Sequence, residues 1–365
     1  MIKIAVVGLG KMGLSHYAMV NAHPEANVIG VCDSSSYVLG VLKKYTGVPT
    51  YTDFDAMLEK ADLDAVIIAT PSSSHARMVR SALEHGLHVF CEKPFTLSAL
   101  DAEALTTLSD ERNLVTQVGY HNRFIGAFRE VKRLLDVGAI GNVTHVLGEA
   151  YGPVVLKPKG GTWRSQRTEG GGCLYDYAAH VIDLVNWYLG EPVSVGGTVL
   201  NRVFSRDIDD EVFSTLYFPE EKTAQISVNW SDESYRKMTT RITAWGTMGR
   251  IFVDRQECQV YIRDAATPPA GYTHGWNVRY TTELTEPVWF YLRGEEYSAQ
   301  IDAFIRRAQE RLTRGVNRFQ SAAVTDKIIG MIIADAEKGA STHADSVAVD
   351  SAHTKRTKRF RLWRR

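Results

Sequence analysis

The sequence predicts an α/β protein: a doubly wound parallel sheet, then a second α/β domain around a large open, mostly antiparallel sheet. Three observations carry this. Over the first 120 residues, short β-branched apolar runs alternate with helix-like segments. Those runs are apolar throughout, as strands covered on both faces must be. From residue 143 onward the runs alternate apolar with polar, the pattern of strands with one packed and one open face. The initial βαβα rhythm gives a parallel sheet with helices on both sides.

Taken in order, strands are expected at 2–7, 28–32, 65–69, 87–91 and 114–118, with helices at 13–22, 54–60, 75–85 and 98–113. Gly86 stops one helix, and Ser98 is placed to cap another. After a helix near 127–135 come the alternating runs VTHVLGEAY, EVFSTLYF, TAQISVNW, TTRITAWG and RIFVDRQECQVYI, which read as one open antiparallel sheet. A helix, CLYDYAAHVIDLVNWYLG, interrupts them early and ends at Gly190 and Pro192, and helices near 295–313 and 322–338 follow. The division expected is 1–122, 123–345 and a basic C-terminal tail at 346–365. No internal repeat or low-complexity linker separates the parts, so the second domain should pack tightly on the first.

Composition narrows the function. Lys+Arg and Asp+Glu balance at 42 each, so no overall field points to nucleic acid or to a membrane surface. The exception is HTKRTKRFRLWRR at the C-terminus, with seven Lys/Arg and no acid, read as a solvated or partner-packed end. Cys32, Cys91, Cys173 and Cys258 lack CxxC spacing, which argues against zinc and against a disulfide framework. No apolar run approaches the ~20 residues that span a bilayer, and no leader is visible, so a cytoplasmic location is expected.

Residues 8–13 read GLGKMG, with Gly8, Gly10 and Gly13 in GxGxxG spacing between a strand and a helix. Gly8 permits a tight turn, Gly10 lets backbone approach a pyrophosphate, and Gly13 lets the helix pack on the sheet. Leu9, Lys11 and Met12 then present backbone N–H groups at a helix N-terminus, where anions are favoured. Asp33 ends the second strand 20 residues beyond Gly13, with Ser34 beside it. A carboxylate there accepts from adenosine ribose hydroxyls and repels a 2′-phosphate, so NAD is expected rather than NADP. The loop ATPSSSH, after the strand at 65–69, puts Thr70, Pro71 and His75 near the same crevice. His75 is either a cofactor contact or a surface residue of a first helical turn.

The equivalent loop after strand 87–91 reads CEKPF. Pro94 keeps Lys93 out of the helical region and stiffens the turn. Lys93 can therefore donate to a substrate oxygen, or it forms a plain surface pair with Glu92. Further on, EGGGCLYDYAAH runs three glycines into a helix where Asp176 and His180 stand four apart, on one face. A carboxylate beside an imidazole gives a proton acceptor working near neutral pH. A structural i,i+4 pair, a metal site and a buried polar patch compete with that reading. Asp183 lies on a similar face, but no HExxH-like set completes a metal site, and no metal is expected.

These residues resemble the glucose–fructose oxidoreductase / inositol dehydrogenase / MocA oxidoreductases, over roughly residues 1–340. The likeness rests on VVGLGKMG, on CEKP, on GYHNRF followed by DVGAIGNV, and on GGGCLYDYAAH. It implies a Rossmann domain, an α/β domain whose open sheet mediates homodimers or tetramers, and hydride transfer between a nicotinamide and a sugar or cyclitol carbon. Lys93 would be the catalytic lysine, Glu92 a neighbour of the nicotinamide side, and the Lys93–Pro94 peptide cis. Asp176 would hold His180, the proton acceptor or donor. Trp163 and Arg164 would lie near cofactor or substrate. Where many members follow the RF of GYHNRF with proline, this chain has Ile125-Gly126.

Tyr120, His121, Asn122 and Arg123 are expected to line a pocket for a small carbohydrate or cyclitol. Lys157, Lys159, Arg164 and Arg167 form a basic stretch that suits a nucleotide-linked sugar equally, or is simply solvated. Two rivals share the fold: an NAD-dependent glycosidase acting by transient oxidation and elimination, and a non-catalytic sensor. Relatives of the second kind lose the lysine or histidine that this chain keeps.

Overall fold

The computed structural model describes residues 1–155 and 163–360, with side chains described through residue 339 apart from Trp163. Its first half runs β1 (Ile2–Val7), α1 (Lys11–Asn21), β2 (Ala26–Cys32), α2 (Ser36–Thr46), β3 (Thr50–Tyr51), α3 (Phe54–Lys60), β4 (Ala65–Ile68), α4 (His75–Glu84), β5 (His88–Cys91), α5 (Ala99–Glu111) and β6 (Thr116–Val118). The six strands pair in parallel in the order β3-β2-β1-β4-β5-β6. The order reverses between β1 and β4, which opens a crevice beyond the strands' carboxyl ends.

Ser98 caps α5 by accepting from Asp101 N, and Gly86, at φ +77°, follows the end of α4. The structure adds two elements to those expected. Strand β3 is too short to show a period, and α2 buries only Leu39, so its apolar signal is weak. Caps define α2 instead: Ser35 accepts from Val38 N, and Gly47 closes it in the left-handed region.

The second half runs α6 (Gly126–Asp136), β7 (Val143–Tyr151), a π turn (Leu174–Ala178), α7 (Ala179–Leu189), β8 (Ser194–Asn201), β9 (Glu211–Tyr217), β10 (Thr223–Asn229), β11 (Arg241–Gly246), β12 (Gly249–Val253), β13 (Glu257–Ile262), β14 (Gly275–Tyr280), α8 (Thr281–Leu284), α9 (Glu295–Glu310) and α10 (Phe319–Phe360). Its eight strands are ordered β14-β13-β12-β11-β7-β10-β9-β8. The sheet is not wholly antiparallel, because β7 and β10 pair in parallel. Between these two strands the chain makes a helix and the β8–β9 hairpin, so it re-enters beside β7 in the same direction. Strands β8 and β14 are also additions. A register shift at Gly196 breaks the alternation of β8, and β14 turns Trp276, Val278 and Tyr280 outward.

The parallel sheet is covered on both faces. On one side Ala5, Val7, Val66, Ile68 and Val89 pack with residues of α3, α4 and α5. On the other, Ile4, Val6, Ile67 and Phe90 pack with residues of α1 and with Ile301, Phe304 and Ile305 of α9. Each such aliphatic side chain contributes about 1.5–3 kcal/mol when fully buried. So α9, late in the chain, returns to complete the first sheet's outer layer. Helix α10 packs against α5, α7 and β8 and joins the two halves. It does not break at residue 346: its backbone stays helical to Phe360, and no Gly or Pro follows Gly339. The side chains of the basic tail lie outside the described residues.

Candidate active site

The rim of the parallel sheet at the β1–β4 switch is built by the glycine-rich turn. Gly8 sits at φ +83°, and a Cβ there would lie 2.7 Å from the Ala69 carbonyl. A Cβ on Gly13 would run into the Gly8 carbonyl oxygen, whereas one on Gly10 would meet nothing within 4 Å. The turn is therefore sealed against the sheet at Gly8 and Gly13 and open outward at Gly10. No side chain caps α1 at Gly10, so the N–H groups of its first turn, from Lys11 and Met12 onward, face that opening. Asp33 stands beside it, accepting from Leu9 N at 2.5 Å and Ser35 N at 2.7 Å, with Ser34 exposed next to it. Open backbone, an uncapped helix start and a carboxylate at the end of β2 fit the pyrophosphate and adenosine ribose of a dinucleotide.

Thr70 forms the wall behind Gly8, and Pro71 follows it exposed. The structure corrects both readings of His75. It is 1% exposed, with Nδ1 2.9 Å from the Pro94 carbonyl and Nε2 3.0 Å from the Thr70 carbonyl. Both ring nitrogens are engaged with backbone, so His75 is a buried strut between two rim loops. Burial lowers its pKa, against the two carbonyl contacts, which favour the charged ring.

The CEKPF loop lies beside this strut, and the Lys93–Pro94 peptide is cis, as the resemblance implies. Glu92 accepts from His16 of α1 at 2.6 Å and from its neighbour's amide, Lys93 N, at 3.2 Å. Burial would raise the Glu92 carboxyl, but the His16 hydrogen bond and the charges of His16 and Lys93 outweigh it and hold it low. Nothing in sequence spacing pointed to His16, because its partner lies 76 residues away.

Lys93 Nζ donates to Asp176 Oδ1 at 2.6 Å and to the Asp176 carbonyl at 3.0 Å. Arg164 Nε donates to Asp176 Oδ2 at 3.0 Å. Asp176 therefore pairs with Lys93 and Arg164, and not with His180 as the i,i+4 spacing predicts. Two causes combine. The residues start in a π turn, where the Ala179 amide reaches back five residues to Leu174, so α-helical stacking does not apply. In addition, a buried ammonium is a stronger partner for a carboxylate than a neutral imidazole. Burial would raise the Asp176 carboxyl, but the charges of Lys93 and Arg164 hold it below its ordinary value. Asp209 anchors the start of this turn, its carboxylate accepting from Leu174 N at 2.6 Å and its carbonyl from Cys173 N at 2.8 Å.

His180 is 4% exposed, and its Nδ1 has no partner among the described residues. Burial, then the nearby Lys93 and Arg255 cations, push its pKa well below the ordinary value, so the imidazole is neutral. The rings of Tyr120 and His121 meet it edge-on, with centroids at 6.0 and 4.9 Å. His121 stacks on Tyr297 and lies 3.4 Å from Arg255, which in turn pairs with Glu296. The Tyr120 hydroxyl and both ends of the Asn122 amide are buried and unpartnered, like His180 Nδ1. Such groups are costly to leave bare.

Arg123 is turned elsewhere. Its guanidinium grips Asp183 through bonds of 2.6 and 2.8 Å, fully buried, and the ring of Trp187 lies alongside. This structural pair, also the fate of Asp183, corrects the expectation that Arg123 lines the substrate pocket. A cavity of about 460 Å³ is lined by Arg123 with His23, Arg129, Trp289 and Asp302, and not by Lys93 or His180. Lys157, Lys159 and the side chain of Trp163 lie outside the described residues. Among those described, no helix is long and apolar enough to cross a membrane.

A parallel dinucleotide-type sheet with a lysine, a carboxylate and a neutral histidine at its rim defines an NAD-binding oxidoreductase. Residues 2–120 match the model of the oxidoreductase family with NAD-binding Rossmann fold, and residues 128–252 match the GFO/IDH/MocA C-terminal domain. The chain belongs to this family. It is 30% identical over 257 residues to scyllo-inositol 2-dehydrogenase (NAD(+)) of Bacillus subtilis (strain 168), covering 69% of this chain and 73% of that one. It is 28% identical over 260 residues to 2,7-anhydro-N-acetylneuraminate hydratase of Mediterraneibacter gnavus, covering 70% and 67%. Among solved structures, levoglucosan dehydrogenase in complex with NADH and levoglucosan superposes with a TM-score of 0.80 at 23% identity, covering 92% of this chain and 97% of that one.

Proposed function

We propose that the chain transfers hydride between NAD and a secondary hydroxyl or keto carbon of a sugar, cyclitol or nucleotide-linked sugar. The observation that supports this best is the buried Lys93–Asp176 pair standing beside a neutral His180 at the rim of a dinucleotide-type sheet. Bound there, NAD supplies the hydride acceptor. His180 takes the hydroxyl proton at an imidazole nitrogen, and its neutral form is ready to do so. Lys93 donates to the same oxygen and stabilises the negative charge that develops on it. Asp176 keeps the ammonium aimed and charged, and His16 fixes Glu92 beside it. Asp33 favours NAD by engaging the ribose. Residues 1–122, with α9 as their outer layer, form the cofactor-binding unit, and the remainder shapes the substrate pocket. The relatives' names favour a cyclitol or an anhydro sugar as the class of substrate.

The outward face of the second sheet carries Phe213, Tyr217, Tyr261, Trp276, Val278 and Tyr280 exposed. Tyr261 and Trp276 pack against each other across β13 and β14. A second copy of the chain covers this face in our reading, giving a homodimer or homotetramer.

The test is a screen of NAD+ reduction over cyclitols, free and anhydro sugars and nucleotide sugars, repeated with NADP+. Turnover with NAD+ on one of these classes is expected, and Lys93→Ala and His180→Ala should abolish it. Undiminished NADH formation in either variant refutes the roles. Release of an aryl glycoside without net NADH would favour the glycosidase instead.

A further inference from the structure

The loop that carries Lys93 is clamped at three points by three elements. Glu92 is bonded to His16 of α1, the Pro94 carbonyl to His75 of α4, and Thr96 to Asp326 of α10. The third clamp contains a carboxyl with no cation. Asp326 is 4% exposed, and its Oδ2 lies 2.8 Å from Thr96 N and 3.0 Å from Thr96 Oγ1, while Oδ1 has no partner among the described residues.

Counting hydrogens decides the state of that carboxyl. A threonine hydroxyl carries one hydrogen. The shortest contact of Thr96 Oγ1 is the Ser98 carbonyl oxygen at 2.6 Å, which can only accept, so the hydroxyl hydrogen is used there. Ser98 N donates to the same hydroxyl oxygen at 3.2 Å. The remaining contact, between Oγ1 and Asp326 Oδ2, therefore needs its hydrogen from the carboxyl. We propose that Asp326 is a neutral carboxylic acid that donates to Thr96, a positioning residue that locks the Lys93 loop only while it keeps its proton.

The surroundings agree. Among the described residues, the titratable groups facing Asp326 are Cys91 at the end of β5, Tyr120 beyond β6 and Tyr175 in the π turn, and none is cationic. Burial raises the Asp326 carboxyl to about 8, against the bond from Thr96 N, which favours the charged form. Ionisation would place a charge without a counter-ion inside the protein and remove the hydrogen bond given to Thr96.

This rests on the proposed role of Lys93 only for its catalytic consequence. The test reads the loop itself, so the two can fail separately. Infrared titration of the full chain should show a protonated-carboxyl band at neutral pH that disappears near pH 8 and is missing from Asp326→Asn. Hydrogen exchange of the peptide covering 90–98, corrected for intrinsic rates, should quicken about tenfold in the wild type between about pH 7 and about pH 9. In Asp326→Asn that exchange should stay level across the same range. If the variant does not fold, the infrared titration of the wild type stands alone. Absence of a neutral-pH carboxyl band, or loop exchange with the same pH dependence in both proteins, overturns the proposal.

Discussion

Replacing Asp176 with Asn tests the pairing that structure and sequence spacing assign differently. The substitution keeps shape and removes charge. Lys93 and Asp176 side chains are 13% and 7% exposed at a separation of 2.6 Å, so the pair is almost wholly desolvated. Removing one partner of a buried pair costs about 3–5 kcal/mol, because the other charge is left uncompensated. The Arg164 contact adds at most about 1 kcal/mol, since that side chain is 46% exposed. Asp176→Asn should therefore lose about 3 kcal/mol in urea denaturation at neutral pH. The pH dependence follows from the lowered Asp176 carboxyl. A depressed folded-state pKa stabilises above the unfolded value, near 4, and that contribution disappears as pH falls through the lower folded value. The gap between wild type and variant should accordingly be full at pH 7 and close in acid. In a double-mutant cycle, Lys93→Met with Asp176→Asn should show a coupling of about 2 kcal/mol, and the double variant should recover part of the loss. Coupling of Asp176→Asn with His180→Ala should stay within about 0.5 kcal/mol. A stronger coupling to His180 than to Lys93 would refute the pairing.

The glycine-rich turn separates folding from binding. Gly13→Ala should destabilise the fold strongly, because its Cβ would strike the Gly8 carbonyl, whereas Gly10→Ala should melt like the wild type but bind NADH more weakly by fluorescence titration. Asp33→Ser should weaken NADH binding about tenfold, the worth of one hydrogen bond to a charged acceptor, and improve use of NADP+. A wild-type preference for NADP+ would contradict the reading of Asp33.

Much of the fold was legible because its signals are local. Apolar β-branched runs, glycine-rich turns and caps such as Ser98 act within a few residues, and the parallel sheet follows from their order. What escaped had no local signal. Strand β3 is two residues long, and α2 buries a single leucine. The parallel pairing of β7 with β10 depends on where the chain returns, which no periodicity within either strand records. Helix α9 reads as an ordinary amphipathic helix of the second half, and only packing shows Phe304 against Phe90 of the first sheet.

The candidate site divides along the same line. Backbone-determined features were legible: the open Gly10 and the carboxylate ending β2 follow from residue type at a turn, whereas the cis bond before Pro94 was expected only from the family resemblance. Side-chain partners were not, because burial and charge select them across the whole chain. Spacing offers Asp176 the imidazole of His180, one turn away, but the energetic contest includes an ammonium 83 residues distant in sequence. In water the two partners would differ little. In a site where Asp176 is 5% exposed, an unpaired lysine would be far costlier than an unpaired neutral histidine, so the pair forms with Lys93. His180 is thereby left neutral and unbonded at Nδ1, the state a proton acceptor needs. The same logic explains His16 on Glu92 and Asp326 on Thr96: partners from distant helices clamp a loop whose own five residues, CEKPF, show only that it is stiff.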